Sequence, residues 1–234
     1  MNKATYVHKI FSSIARQYDF LNSLLSLRFD RSWRKFTARV SGGAPESKVL
    51  DVCTGTGELA LAYANELGPN ARVIGADFCF EMLAVGKQKV KKQKRPNVFI
   101  PIEADTLALP FAENTFDVVS VGFGIRNVAD LEGGIREMAR VAVSGGCIVI
   151  LEFTQPNDRL FRGFYYFYFT KVLPFIGNLV SKNRDDAYGY LPKSVMDFPD
   201  CEELASIMCS CGLEDVRYYR KTLGIVAIHV GRKI

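Results

Sequence analysis

Between Lys48 and Phe153 the chain alternates short apolar runs with segments of helical periodicity. Few architectures accept such an alternation, and the leading one is a parallel sheet covered by helices. The runs are KVLDVC (48–53), ARVIGAD (71–77), NVFIPIE (97–103), FDVVSVG (116–122) and CIVILEF (147–153). Each is apolar nearly throughout, as strands buried on both faces are. Helices are expected over 57–66, 80–92, 130–142 and 201–211. Two last strands, LEDVRYYRK and GIVAIHVGR, are separated only by a short turn at Thr222–Gly224. Strands so close can pair only antiparallel, as a hairpin. The expected sheet therefore has seven strands, five parallel and a terminal antiparallel hairpin.

The first run leads into DVCTGTGELA, Asp51–Ala60. Gly55 and Gly57 stand where a strand turns sharply into a helix, and glycine lets a ligand approach the backbone there. The N–H groups opening that helix suit a carboxylate. Gly55-Thr56-Gly57 also fits a dinucleotide loop, so the motif by itself is weak. Asp51 separates the readings, because a dehydrogenase strand is usually apolar at that point. An acid there can accept from a methionine ammonium. Asp77, ending the second run, can take both ribose hydroxyls, and Asp105, beside Thr106, can accept from an adenine amino group. Acids at three consecutive strand ends predict S-adenosyl-L-methionine as cofactor, with Gly122 at the end of the fourth strand completing the set. The fold class that results is α/β, the Rossmann-like seven-stranded sheet of class I methyltransferases with helical lid insertions.

At 234 residues the chain is long enough for one domain with additions. It divides into an N-terminal helical lid (1–45), a cofactor-binding core (46–154), a substrate-side insertion (155–198) and the last helix with its hairpin (199–234). The net charge of +5 is weaker than a dedicated nucleic-acid binder shows and suits visits to an anionic membrane surface. Six cysteines, two histidines and no signal-peptide pattern predict reduced thiols in the cytoplasm. No metal-ligand cluster is apparent. The stretch 160–180 is aromatic and apolar, but Arg162, Lys171, Pro174 and Asn178 interrupt it. It is too broken for a spanning helix, which needs about 20 apolar residues. It is expected to sit at the membrane interface or to face substrate, with core packing or a homodimer contact as the alternatives.

Further motifs are more discriminating. YDFLNSLLS (18–26), GFGIRNVAD (122–130), ILEFTQP (150–156), YGYLPKSVMDFP (188–199) and LGIVAIHVGRK (223–233) resemble the UbiE/Coq5/MenG family over nearly the whole chain. That family comprises the C-methyltransferases of ubiquinone and menaquinone biosynthesis. The chain departs from it in the run Ser26–Trp33, where the family reads S-x-G-x-H-R-x-W. Here Arg28 replaces the glycine and Asp30 the histidine. Arg140–Gly146 likewise replaces R-V-L-K-P-G-G.

The resemblance implies methylation of a ring carbon on a polyprenylated quinol. The carbon becomes nucleophilic once a hydroxyl loses its proton, so the site must favour a phenolate and need hold no metal. Arg126 and Asn127 are expected to do this, the guanidinium stabilising charge and Asn127 orienting a proton-carrying water. Arginine itself stays charged and makes a poor base. Tyr18 is expected to cover the sulfonium or contact the quinol. Tyr188, Tyr190 and His229 match family positions without an assigned role. The length resembles the bacterial menaquinone type, demethylmenaquinol to menaquinol, with the benzoquinol of the ubiquinone pathway as the alternative. Two further readings stay open. The basic run Gly86–Asn97 could serve an RNA methyltransferase, although such a run is usually a solvated helix face. A catalytically silent subunit of a quinone-synthesis complex is the other. No nucleic-acid partner is expected.

Overall fold

In the computed structural model every expected strand appears, displaced by a few residues at most except at the start of the fifth. The structure describes residues 3–92, 100–156, 163 and 187–234. Three helices, α1 (Lys3–Ile14), α2 (Tyr18–Leu25) and α3 (Phe29–Val40), precede the sheet. Then come β1 (Lys48–Val52), α4 (Glu58–Leu67), β2 (Arg72–Asp77), α5 (Phe80–Lys92), β3 (Ile100–Glu103), β4 (Phe116–Gly122), α6 (Leu131–Val141) and β5 (Ala142–Phe153). The described C-terminal part holds α7 (Ala187–Met196), α8 (Cys201–Ser210), β6 (Leu213–Lys221) and β7 (Val226–Lys233).

The sheet order is β3-β2-β1-β4-β5-β7-β6. The first five strands run parallel, and β7 inserts antiparallel between β5 and β6. The hairpin expected from the sequence is therefore present, and its second strand is the one that joins the parallel sheet. β5 begins five residues before the apolar run that predicts it. Ala142 already pairs with Phe116, and pairing resumes at Val118 and Cys147 after a register shift. Gly145, at a φ of 73°, lies in the residues that loop out between the two pairings.

Successive residues of a strand face opposite sides, and the two faces bury separate cores. Val49, Val118 and Val149 pack with Trp33, Leu59 and Tyr63. Leu50, Val119 and Ile150 pack with Ile135, Met138, Leu204 and Met208. Each such side chain contributes roughly 1.5–3 kcal/mol on burial. Local signals set the helix starts. Asp130 caps α6 by accepting from Gly133 N, and Asp200 with Glu203 forms a capping box on α8. Among the described residues no helix is long and apolar enough to cross a membrane. The aromatic stretch 160–180, apart from Gly163, lies outside the described residues.

Candidate active site

The order of the strands reverses between β1 and β4, and in open α/β sheets ligands settle beyond the strand ends at that point. A cleft lies there, enclosing about 950 Å³ of empty space that is partly open to solvent, the scale of a small-molecule site. Its floor is the backbone following β1. Cys53, Gly55 and Gly57 take φ of 49°, 56° and 80°. Glycine accepts this left-handed backbone freely, while Cys53 is strained there, as residues lining functional sites often are. Beside it Phe123, at 59°, makes the same kind of turn after β4. A side chain at Gly124 would collide with Cβ of Cys53, so the two turns require that glycine.

Asp51, Gly55, Thr56, Asp77, Asp105, Thr106 and Gly122 all line this cleft. Gly57 lies one residue further along the same loop. Asp51 is fully buried and accepts from the hydroxyls of Thr54 (2.7 Å) and Ser120 (3.0 Å). Burial pushes its carboxyl up to about 7, against the two hydroxyls and the Arg34 charge. Asp77 accepts from Gly55 N and Cys79 N, each at 2.8 Å, so it shapes the glycine loop as well as facing the cleft. Asp105 accepts from Leu107 N at 2.9 Å. A glycine-turned backbone with the acidic side chains of Asp51, Asp77 and Asp105 in the lining fits a cationic, hydroxyl-bearing ligand such as S-adenosylmethionine.

Asn127 lines the same cleft, whereas Arg126 lines an adjoining cavity with Lys3, Tyr6, Tyr190 and Ser194. Both residues sit in a single 3-10 turn, Ile125–Asn127, just beyond β4. The guanidinium is buried. Its Nη1 donates to Phe123 O (2.7 Å) and to Glu152 Oε1 (2.6 Å), and its Cζ lies 5.6 Å from the Phe153 ring centroid. Glu152, in the ILEF run, is 2% exposed and its Oε2 has no hydrogen-bond partner. Burial raises its carboxyl and the Arg126 charge opposes that rise. The sequence motif points to Arg126 and leaves its counter-ion unremarked. Tyr190 OH donates to Asn127 Oδ1 at 3.1 Å, a contact for a tyrosine that the sequence leaves without a role. The Tyr188 side chain lies outside the described residues. His229 is buried in β7, its Nε2 3.0 Å from Cys201 O, and burial holds its ring down at about 4.

The N-terminal helices close over the cleft. Tyr18, at the start of α2, lines it and meets Phe11 edge-on. Lys3 Nζ reaches Arg126 O (2.9 Å) and Val128 O (2.7 Å), fastening α1 to the loop after β4. Asp19 accepts from Thr56 Oγ1 at 2.5 Å and pairs with Lys89 Nζ at 2.6 Å. Lys89 also pairs with Glu58 at 2.5 Å, so one lysine ties α2 to the start of α4. Among the described residues of the basic run, Lys89 is thus engaged in ion pairs and not simply solvated. Arg28 stands at a φ of 66°, a conformation that suits the glycine usual in the family. Asp30, in place of the family histidine, accepts from Ser26 Oγ and pairs with the buried Arg34, whose Cζ lies 5.7 Å from the Phe123 centroid. The folded chain also gathers His8, Cys79 and Glu81, a ligand cluster that linear spacing does not reveal.

Fold comparison defines the class first. The chain superposes on a SAM-dependent methyltransferase from Aquifex aeolicus with a TM-score of 0.61 at 18% identity, over 85% of this chain and 88% of that one. The [4+2]-cyclase SpnF superposes with a TM-score of 0.63 at 14% identity, over 87% and 80%. The class I methyltransferase fold is shared, and the fold alone leaves the reaction open. Sequence closes that gap, because the model of the ubiE/COQ5 methyltransferase family matches residues 1–233. This chain belongs to that family and is an S-adenosylmethionine-dependent methyltransferase. A relative from Geotalea daltonii, named ubiquinone/menaquinone biosynthesis C-methyltransferase UbiE, is 42% identical over 231 residues, 99% of this chain and 97% of that protein. A demethylmenaquinone methyltransferase from Shouchella clausii is 40% identical over 232 residues, 99% and 98%.

Proposed function

We propose that the enzyme methylates a ring carbon of polyprenylated demethylmenaquinol, giving menaquinol. The observation that carries this reading is the turn Ile125–Asn127, which puts Asn127 on the cofactor cleft and Arg126 on the adjoining cavity. An acceptor ring in the second cavity would meet the cleft at this turn. Bound S-adenosylmethionine supplies the electrophilic methyl group. Asp51 would receive its ammonium, Asp77 its ribose and Asp105 its adenine, with Gly55, Thr56, Gly57, Thr106 and Gly122 shaping the bed.

Arg126 would stabilise the phenolate that makes the ring carbon nucleophilic, an electrostatic task worth several kcal/mol in a dry site. Glu152 holds the guanidinium in place. Asn127, already bonded to Tyr190, would orient the water that removes the hydroxyl proton, and Tyr18 would cover the donor from the lid side. The aromatic stretch 161–180 and the +5 charge support docking at a membrane surface, where a polyprenyl tail resides. Pairing of two copies through the same stretch is the rival proposal. The experiment is methyl transfer from labelled S-adenosylmethionine to short-tailed demethylmenaquinol by the purified enzyme. Transfer to the benzoquinol counterpart alone would reassign the substrate to the ubiquinone pathway.

A further inference from the structure

Outside the residues assigned to cofactor and quinol, one side-chain cluster combines three kinds of metal-binding donor. His8 comes from α1. Cys79 and Glu81 come from the turn between β2 and α5 and from the first turn of α5. Their donor atoms all lie within 4.8 Å of one another. Ser12 Oγ lies beside all three, 3.0 Å from Glu81 Oε2, 3.3 Å from His8 Nδ1 and 3.4 Å from Cys79 Sγ, and Cys79 Sγ is itself 3.4 Å from Glu81 Oε2. Cys79 is buried, His8 half-buried and Glu81 exposed, so an ion could enter from the carboxylate side.

We infer that His8, Cys79 and Glu81 form a zinc site that clamps the lid helix α1 to the turn after β2. A thiolate, an imidazole and a carboxylate make a borderline-soft donor set that suits Zn²⁺ over Mg²⁺ or Ca²⁺. Three protein ligands leave a fourth position, for water or for Ser12. Zinc takes such donors at about 2.0–2.3 Å, which asks for small side-chain adjustments. Binding releases the thiol proton to solvent.

The consequence follows from what flanks the cluster. Val7 and Phe11 of α1 line the cofactor cleft, as do Asp77 and Phe78 immediately before Cys79. His8 packs against Phe78 with ring centroids 5.6 Å apart. An ion joining α1 to this turn fastens the lid beside the ribose-side acid. A clamp on that edge of the cleft should slow cofactor exchange through it.

The test uses the whole chain of residues 1–234 without quinol, so its result is independent of the substrate assigned above. Cobalt(II) serves as the optical probe, in a Cys209→Ser background because Cys209 is an exposed thiol. One cobalt per chain should bind with a thiolate charge-transfer band, and zinc should displace it. Cys79→Ser should abolish the band. His8→Ala and Glu81→Gln should each weaken zinc by about 10-fold or more, since even outer-shell changes cost that much. Zinc should also slow S-adenosylhomocysteine release by roughly fivefold or more, the low end of useful coupling, and should not do so in Cys79→Ser. A band that survives Cys79→Ser, or no one-to-one binding, overturns the site. Equal release rates with and without zinc overturn the clamp.

Discussion

Arg126 cannot be tested by simple removal. Its partner Glu152 is buried with one oxygen already unpaired, and stripping the counter-charge from such a group costs about 3–5 kcal/mol. Arg126→Ala should therefore unfold at markedly lower denaturant whatever its role in turnover. The double substitution Arg126→Met with Glu152→Met removes both charges and keeps the volume. It should recover most of that stability, as apolar replacements of buried pairs do. Its kcat should still fall by about 10²-fold or more. A double variant that is stable and near-normal in turnover would make the pair purely structural.

Asp51 offers a second residue-scale test. Its carboxyl stands at about 7 in the free enzyme against an ordinary 3.8, mainly through burial. An ammonium bound against it would favour the anion, so below about pH 7 binding must expel a proton. Affinity for S-adenosylhomocysteine should rise by up to about tenfold per pH unit towards 7 and level off above it. Calorimetry on Asp51→Asn should show that slope abolished. Without ligand the sign is opposite. The raised carboxyl favours folding at low pH, and that contribution is lost as pH rises through about 7.

Among the elements, the attachment of α2 is the most exposed to test. Asp19, Thr56, Glu58 and Lys89 form one polar cluster joining α2 to the glycine loop. The ion-pairing side chains Lys89, Asp19 and Glu58 are partly solvated, so Lys89→Ala should cost only about 0.5–1 kcal/mol of stability. It should loosen the lid more visibly, as faster amide exchange in α2 with the β strands unchanged. Protection of α2 equal to wild type would deny Lys89 that role. This is also the level at which sequence reading reached its limit. Apolar runs and helical periodicity are local signals, so β4, α5 and β6 are legible to the residue. The early start of β5 is not legible, because Ala142–Gly146 is a turn-like sequence drawn into the sheet by its neighbour. Pairings across the chain are equally hidden. Glu152 reads as one more strand residue and Lys89 as one more surface cation until the fold brings their partners to them. His8 and Cys79, separated by 71 positions in the chain, show no spacing that would join them.

At the scale of the whole molecule, the proposed quinol substrate carries a membrane-soluble tail. Among the described residues no helix is long and apolar enough to cross a membrane, and the proposal places access to that tail at the membrane surface. Replacing rings among Phe161, Phe164, Tyr165 and Phe167 with serine should weaken sedimentation with anionic liposomes. It should also raise KM for long-tailed quinol while leaving turnover on a tail-less analogue nearly unchanged. Equal loss on both substrates, or a changed oligomeric mass, would favour core packing or a homodimer contact. The central claim is more direct than any of these. Purified enzyme, labelled S-adenosylmethionine and chemically reduced short-tailed demethylmenaquinone should yield ring-methylated menaquinol and S-adenosylhomocysteine in equal amounts. The yield should depend on the quinone being reduced, because only the quinol can give a phenolate. Binding of S-adenosylhomocysteine without any transfer to the quinol ring, under conditions where the protein is folded, would contradict the account.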